Sequence, residues 1–532
     1  MFESAHIDTF TRDRLPDMAD WPELVFDLPE LRYPERLNAA DTLLNGGKPD
    51  RPAILWDGGS WTYAELRATA NRIARVLTED YGLVPGGRVL LRGRNTPMMF
   101  AAWYGALLAG GVVVSTMPLL RAGELATIID AAEIGLALSE NDLMDELTGA
   151  AKVTAKPVST VGFGAEGATL EAHMAEKPDD FAPIQTAQDD VALLAFTSGT
   201  TGKPKACMHF HRDILAMADG YARHILAPRE TDVFTGSPPI AFTFGLGGLV
   251  VFPARFGAAV ALISGPPTPQ ALLDCITRHK VTMLFTAPTA YKTILEQLDG
   301  ADISSLRVCV SAGETLPKAI FDAWFEKTGL KLMDGIGSTE MIHIFISAKA
   351  EDIRPGHTGK PVPGYRACVI DEDGNILPPP ATGRLAVKGP TGCRYMADER
   401  QKNYVVNGWN VTGDTYFHDE DGYFRFVARS DDMIVSSGYN IGGPEVEAAL
   451  LLHDAVAECA VVGVPDTARG QIVKAFIVPA AGVTPSADLA EALKTHVKET
   501  IAPYKYPRAI DFIDELPKTQ TGKIQRFKLR EG

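Results

Sequence analysis

Apolar residues in this chain fall in short continuous runs, and the segments between the runs carry helical spacing. Ala53, Ile54, Leu55 and Trp56 predict one strand, and residues 60–63 the next. Thr62 and Glu65 form the capping-box pattern, which predicts a helix reaching Val76. Strand signals recur at 89–91, 191–196, 259–263, 281–285 and 308–310. Such alternation predicts parallel sheets covered by helices, an α/β fold. One region tests this reading. No charged side chain lies between Arg94 and Arg121, a stretch long enough to span a bilayer. Pro97, Gly110, Gly111 and Pro118 interrupt it. The expectation is therefore a buried helix over 98–109, a glycine stop, and a buried strand over 112–115.

Residues 1–50 hold Trp21 and several prolines and read as an extended arm with a helix near 38–44. From Gly364 the runs shorten and turns at 371–374 and 419–422 separate them, which predicts a β-rich subdomain over about 364–430. A separate α+β unit is expected over 431–532, with helices at 444–452 and 487–499, strands at 458–464 and 474–478, and a basic tail. At 532 residues the chain exceeds what one core usually supports. The expected organisation is a large domain over 1–430 and a small mobile lid over 431–532, with the hinge at Asp431. No internal repeat stands out.

A net charge of −16 with no offsetting basic run argues against nucleic acid as the main partner. It leaves a phosphorylated small molecule open, because a local cationic loop acts inside an acidic protein. The six cysteines show no CxxC spacing, so small buried thiols in a reduced, cytoplasmic protein are expected rather than a zinc site or disulfides. The first residues lack a basic segment followed by an apolar core, so no secretory signal is expected.

Directly after the strand at 191–196 come Thr197, Ser198, Gly199, Thr200, Thr201, Gly202, Lys203, Pro204 and Lys205. Glycines let backbone N–H groups approach an anion, hydroxyls donate further hydrogen bonds, and lysines supply charge, so the loop suits phosphate. It is not a Walker A loop, since only Thr200 and Thr201 lie between Gly199 and Gly202. Ser311, Ala312, Gly313 and Glu314 follow the strand at 308–310, at the strand end where α/β folds bind ligands. Asp334, Gly335, Ile336, Gly337, Ser338, Thr339 and Glu340 read as a glycine-rich turn; Thr339 suits a phosphate, and Glu340 suits Mg²⁺, a hard cation that prefers oxygen ligands. Asp414, after Thr412 and Gly413, suits a ribose diol. Phe426 and Arg429 precede the expected hinge, and Lys523 lies near the end of the chain. Singly, each has a plain structural reading as a turn, a cap or a surface charge. Their order is what carries information.

In that order the motifs resemble the adenylate-forming superfamily of acyl-CoA synthetases, peptide-synthetase adenylation domains and luciferases, from about residue 50 onward. The resemblance implies that a carboxylate oxygen attacks the α-phosphorus of ATP, pyrophosphate leaves, and coenzyme A then takes the acyl group. It implies that Lys523 bridges the carboxylate and the α-phosphate, that Glu340 holds Mg²⁺, and that the loop from Thr197 to Lys205 cradles the β- and γ-phosphates. It further implies that Asp414 and Arg429 bind the ribose, and that Gly313, Asp334 and Gly335 flank the adenine. Ala312, Glu314, Ile336, Gly337, Ser338, Thr339 and Phe426 complete the nucleotide set. A rotation about Asp431 would replace Lys523 with the loop Ser437, Gly438 and Tyr439 for the coenzyme A step.

The same resemblance places the acyl pocket along Ala241, Phe242, Phe244, Gly245, Leu246 and Gly247, with Phe242 as a gating aromatic. His343 is either a polar group of that pocket or a core histidine. The run through Glu340 and His343 is similar to that of benzoate-CoA ligases, and the N-terminal arm to that of 2-aminobenzoate-CoA ligases. The implied reaction is ATP-dependent conversion of an aromatic acid to its CoA thioester, with a homodimer left open. The alternatives are loading of a carrier protein, a CoA ligase for a medium-chain or alicyclic acid, and a non-catalytic nucleotide-binding protein.

Overall fold

The computed structural model describes residues 1–197, 204–429, 432–436, 439–466, 469–518 and 524–531, with the side chains of 435, 439, 440, 470 and 531 outside that description. Its described strands form four sheets. A six-stranded sheet runs in the order Ser159–Phe163, Leu136–Glu140, Arg88–Arg92, Val112–Thr116, Val191–Thr197, Lys205–Phe210. A nine-stranded sheet has parallel strands Pro52–Trp56, Ala259–Ala261, Val233–Gly236, Met283–Thr286, Val308–Ala312 and Leu332–Gly337 at its centre, with antiparallel strands at both edges. The parallel strands follow the expectation; the antiparallel edges, and the pairing of Lys205–Phe210 back onto Val191–Thr197, do not.

The chargeless stretch folds as its punctuation dictates. Thr96 caps the helix Pro97–Leu108 by accepting from the Met99 N–H, and Pro97 takes the first turn, where it needs no N–H partner. Gly110 adopts φ 73° and turns the chain into Val112–Thr116. Every residue from Met99 to Leu108 is buried, so the helix is core on all faces. Phe100, Trp103 and Leu107 each contribute roughly 1.5–3 kcal/mol through this burial. A Cβ on Gly105 would come within 2.9 Å of the Ala70 carbonyl, so glycine is what lets this helix approach Tyr63–Arg75. That neighbour opens with the expected capping box between Thr62 and Glu65. No helix among the described residues is long and apolar enough to cross a membrane.

The β-rich part is a six-stranded sheet in which Trp409–His418 pairs with both Ala381–Lys388 and Phe424–Arg429. The small C-terminal part packs Gly443–Leu450 and Ala487–Thr500 on its own sheet around Val446, Val461, Ile477 and Leu493. All six cysteines are buried and free. One expectation is corrected here. Asp334 to Gly337 lie on the strand Leu332–Gly337 and not in a turn. A Cβ on Gly335 would sit 2.8 Å from the Ile344 side chain, and one on Gly337 2.7 Å from the His343 backbone. These glycines serve the close return of the chain.

Candidate active site

The parallel strands Val308–Ala312 and Leu332–Gly337 of the large sheet end side by side, and Ala312, Gly313, Asp334 and Gly335 lie at or just beyond those ends. Ala312 lies in register with Gly335, and Ser311 with Asp334. Gly313 turns away at φ 89° just beyond the strand end, and Glu314 follows it. Asp334 Oδ1 is buried without a hydrogen-bond partner, and the residue lines a small cavity of about 30 Å³ with Thr315, Thr358 and Phe426. Burial pushes its carboxyl up to about 7, against the opposing pull of the Gly335 N–H and the Thr358 hydroxyl.

The chain then makes a tight turn. Met341 N–H donates to Ser338 Oγ (3.2 Å) and Ile342 N–H to the Thr339 carbonyl (3.1 Å). Ile342 sits at φ 65°, a conformation β-branched residues avoid and one that costs about 1–3 kcal/mol. The strain sets Glu340 and His343 on either side of Ile342, in two different surroundings.

Glu340 enters a cluster with Lys205 and Tyr395. Lys205 Nζ lies 2.9 Å from Glu340 Oε1, the Tyr395 hydroxyl donates to the same oxygen at 2.5 Å, and Lys205 also donates to that hydroxyl. Lys205 stands 4.4 Å from the Tyr395 ring centroid and 5.7 Å from that of Tyr404. Burial alone would raise the Glu340 carboxyl; Lys205 and the tyrosine hydroxyl outweigh it, so it lies below its ordinary value. Thr197 Oγ1, at the end of its strand, is buried without a partner. Behind the cluster, Met208 N–H donates to the Arg394 carbonyl and Met396 N–H to the Ala206 carbonyl, which lays residues 394–396 beside the strand Lys205–Phe210. Arg394 is fully buried and pairs with Asp213, while His209 Nε2–H donates to the Thr339 carbonyl at 2.8 Å.

His343 faces an aromatic enclosure. Its ring centroid lies 4.6 Å from Phe252, 5.5 Å from Tyr221 and 5.9 Å from Phe244. Neither ring nitrogen makes a hydrogen bond of ordinary geometry, and burial lowers its pKa to about 3, so the ring is neutral. Of the expected pocket residues, Gly247 packs directly under His343, Phe244 also meets Phe285 at 5.8 Å, and Gly245 and Leu246 are buried. Ala241 is half-buried and Phe242 is 37% exposed, at the open end of the segment.

Asp414 and Arg429 are register partners on adjacent antiparallel strands. Ser198, Gly199, Thr200, Thr201, Gly202, Lys203, Asp431, Ser437, Gly438 and Lys523 lie outside the described residues, as does the side chain of Tyr439. Tyr395, Tyr404, His209, Asp213 and Arg394 escape sequence reading. Each sits in a segment without motif and reaches the site through partners distant in sequence. The lone arginine in the otherwise uncharged run from Gly389 to Met396 is the one local signal.

Residues 45–395 match the model of the AMP-binding enzyme family, and 445–523 that of the AMP-binding enzyme C-terminal domain. Benzoate–CoA ligase of Thauera aromatica is 38% identical over 517 residues, covering 95% of this chain and 98% of that protein. The 3-hydroxybenzoate–CoA ligase of Aromatoleum sp. (strain CIB) is 33% identical, covering 93% and 97%. Among solved structures, an anthranilate CoA ligase in complex with anthranoyl-AMP superposes with a TM-score of 0.90 at 34% identity, over 95% of this chain and 98% of that one. A benzoate CoA ligase from Burkholderia xenovorans LB400 gives 0.84 at 34% identity, over 93% and 100%. With an anion-suited cluster and an aromatic enclosure meeting at the strand ends, and matches that run through nearly the whole chain, this protein belongs to the AMP-binding enzymes.

Proposed function

We propose that the protein is an acid–thiol ligase that converts an aromatic carboxylate, 2-aminobenzoate or a near relative of benzoate, to its coenzyme A thioester. ATP is consumed, and AMP and pyrophosphate are released. The observation that carries this reading is the divergence of Glu340 and His343 across the strained Ile342. A cluster of Lys205, Glu340 and Tyr395 at one residue and an enclosure of Phe244, Phe252 and Tyr221 at the other support it.

In the first half-reaction a carboxylate oxygen attacks the α-phosphorus and the bond to pyrophosphate breaks. No protein nucleophile is needed; positioned donors and cations lower the barrier. Thr197, the hydroxyls of the following loop, Lys203 and Lys205 hold the β- and γ-phosphates, and the unpartnered Thr197 Oγ1 suits that task. Asp334, Gly335, Gly313 and Phe426 hold the adenine, and Asp414 with Arg429 holds the ribose. Lys523 bridges carboxylate and α-phosphate. Glu340 fits Mg²⁺ by its oxygen chemistry, and among the described residues no group of three or more His, Cys, Asp or Glu forms a closed metal site. When bound, the cation would offset phosphate charge. In the second half-reaction the coenzyme A sulfur attacks the carbonyl carbon and AMP leaves, after the small domain turns at Asp431 and presents Ser437, Gly438 and Tyr439.

The test is incubation with ATP, Mg²⁺ and coenzyme A against benzoate, 2-aminobenzoate, hydroxybenzoates and a medium-chain fatty acid, with AMP and thioester followed by mass spectrometry. An aryl-CoA product is expected. AMP without a thioester would transfer the reading to a carrier-protein acceptor, and turnover of the fatty acid alone would overturn the aromatic pocket.

A further inference from the structure

The Tyr395 hydroxyl is bonded differently from those of Tyr63 and Tyr291. Tyr63 donates to the Ala258 carbonyl at 2.7 Å, and Tyr291 to the carbonyls of Leu284 and Val310 at 3.2 and 3.0 Å. Those hydroxyls are satisfied by backbone, as structural tyrosines are. The fully buried Tyr395 is bonded instead to two ionisable side chains, donating to Glu340 Oε1 and accepting from Lys205. Both of the cluster's contacts to Glu340 fall on Oε1.

The backbone that carries the phenol is anchored at two points. Tyr395 N–H donates to Gln401 Oε1 at 2.8 Å, and its backbone bridges to Cys207. Gln401 is anchored in turn by the carbonyls of Asp20 and Cys393. Lys205, by contrast, sits at the first residue of its strand with a flexible stem, beside the phosphate loop. The phenol thus stands on an anchored segment and the ammonium on a flexible stem. A lysine ammonium and a divalent cation repel each other and cannot share one carboxylate oxygen comfortably.

We propose that Tyr395 is the positioning residue for the cation-binding carboxylate. Its hydroxyl keeps Oε1 of Glu340 in place independently of the ammonium of Lys205. This rests on the reading of Glu340 as the cation ligand given above. It adds that a phenol, and not only the lysine, orients the cation-binding carboxylate.

The test is equilibrium binding by calorimetry of a non-hydrolysable ATP analogue across a Mg²⁺ titration, with AMP as the ligand that has no β- or γ-phosphate. It is run on the wild type, Tyr395→Phe, Glu340→Gln and the double variant. Loss of a group that orients a metal ligand typically weakens metal affinity about 10- to 100-fold. Tyr395→Phe is therefore expected to raise the Mg²⁺ concentration at half-saturation about tenfold, leave AMP affinity within about twofold, and add nothing further once Glu340 is already glutamine. An unchanged Mg²⁺ midpoint in Tyr395→Phe overturns the proposal, and so does an equal loss in both Glu340 backgrounds, which would mark a purely structural tyrosine. Should the variant not fold by thermal melt, 3-fluorotyrosine at 395 alters donor strength with little change of shape; an unmoved Mg²⁺ midpoint there is equally decisive. A wild type that binds neither nucleotide would overturn the underlying reading of the site instead.

Discussion

Asp414 and Arg429 face each other across the strands Trp409–His418 and Phe424–Arg429, and Arg429 Nη1 donates to Asp414 Oδ1 at 2.9 Å. The aspartate side chain is 13% exposed and the arginine 48%. A pair this open to water contributes only about 0–1 kcal/mol to stability. A hydrogen bond from a ligand hydroxyl to the carboxylate contributes about 1.5–3 kcal/mol to binding, roughly 10- to 100-fold in affinity. Asp414→Ala is therefore expected to leave the melting temperature nearly unchanged while weakening AMP binding at least about tenfold by calorimetry. A large loss of stability with intact AMP affinity would make the pair a fold element.

Asp334 predicts a pH dependence with a definite sign. Its native pKa of about 7 lies above the ordinary 3.8, so the native state binds this proton more tightly than the unfolded chain. The contribution is complete below pH 3.8 and is lost as pH rises through about 7. The residue retains some exposure although Oδ1 is covered, so roughly 1–2 kcal/mol is expected rather than the full value of the shift. His357 lines the same cavity and its pKa is lowered, chiefly by burial, which gives the opposite slope. The measurement is thus a difference. Wild-type stability minus that of Asp334→Asn, from denaturant melts between pH 4 and 8, should fall as pH rises, and a flat difference would refute the assignment.

What is legible in the chain is what is local. The cap at Thr62 and Glu65, the proline and glycine bounding the helix Pro97–Leu108, and the position of Thr197 at a strand end each depend on neighbours in sequence. What is illegible is set by return of the chain. Gly335 and Gly337 look like turn residues, yet they are glycines because Ile344 and the His343 backbone come back against them. Tyr395 is unremarked in sequence because its partners, Lys205 and Glu340, are distant along the chain; an isolated bridge to Cys207 brings it beside the strand of Lys205, and only its hydroxyl reaches Glu340.

His343 separates the two readings left open for it. A core histidine with two unpartnered ring nitrogens is a standing cost, about 1–3 kcal/mol for each uncompensated polar atom. Replacing it with an apolar residue of similar size removes that cost. His343→Leu is expected to melt at the wild-type temperature or above, while kcat/KM falls about tenfold or more for 2-aminobenzoate and hydroxybenzoates and less for benzoate. Equal losses for every acid would remove His343 from substituent recognition.

Lys523 is expected to act in one half-reaction alone. Lys523→Ala should abolish formation of the acyl-adenylate from acid and ATP while sparing thioester formation from supplied acyl-adenylate and coenzyme A. The role is electrostatic, stabilising the charge that develops as the carboxylate adds to the α-phosphorus, and the second half-reaction forms no bond to phosphorus. Survival of adenylate formation, read as pyrophosphate release, would end that assignment.

Gly247 tests how tightly the enclosure is built. A Cβ at this position would lie 2.3 Å from His343 Cδ2 and 2.5 Å from Nε2, with the Phe252 ring at 3.0 Å. The obstacle is a ring wedged between Phe252 and Tyr221 behind a strained Ile342, so it has little room to yield. Overpacking of this kind costs about 1–3 kcal/mol. If the enclosure is the acid pocket, the added methyl and the crowded His343 ring narrow the space the substrate ring needs. Gly247→Ala is therefore expected to lower kcat/KM for benzoate more than tenfold through KM, with AMP affinity unchanged and only a modest drop in melting temperature. A variant that loses stability but keeps its KM for every aromatic acid would place the binding site away from His343.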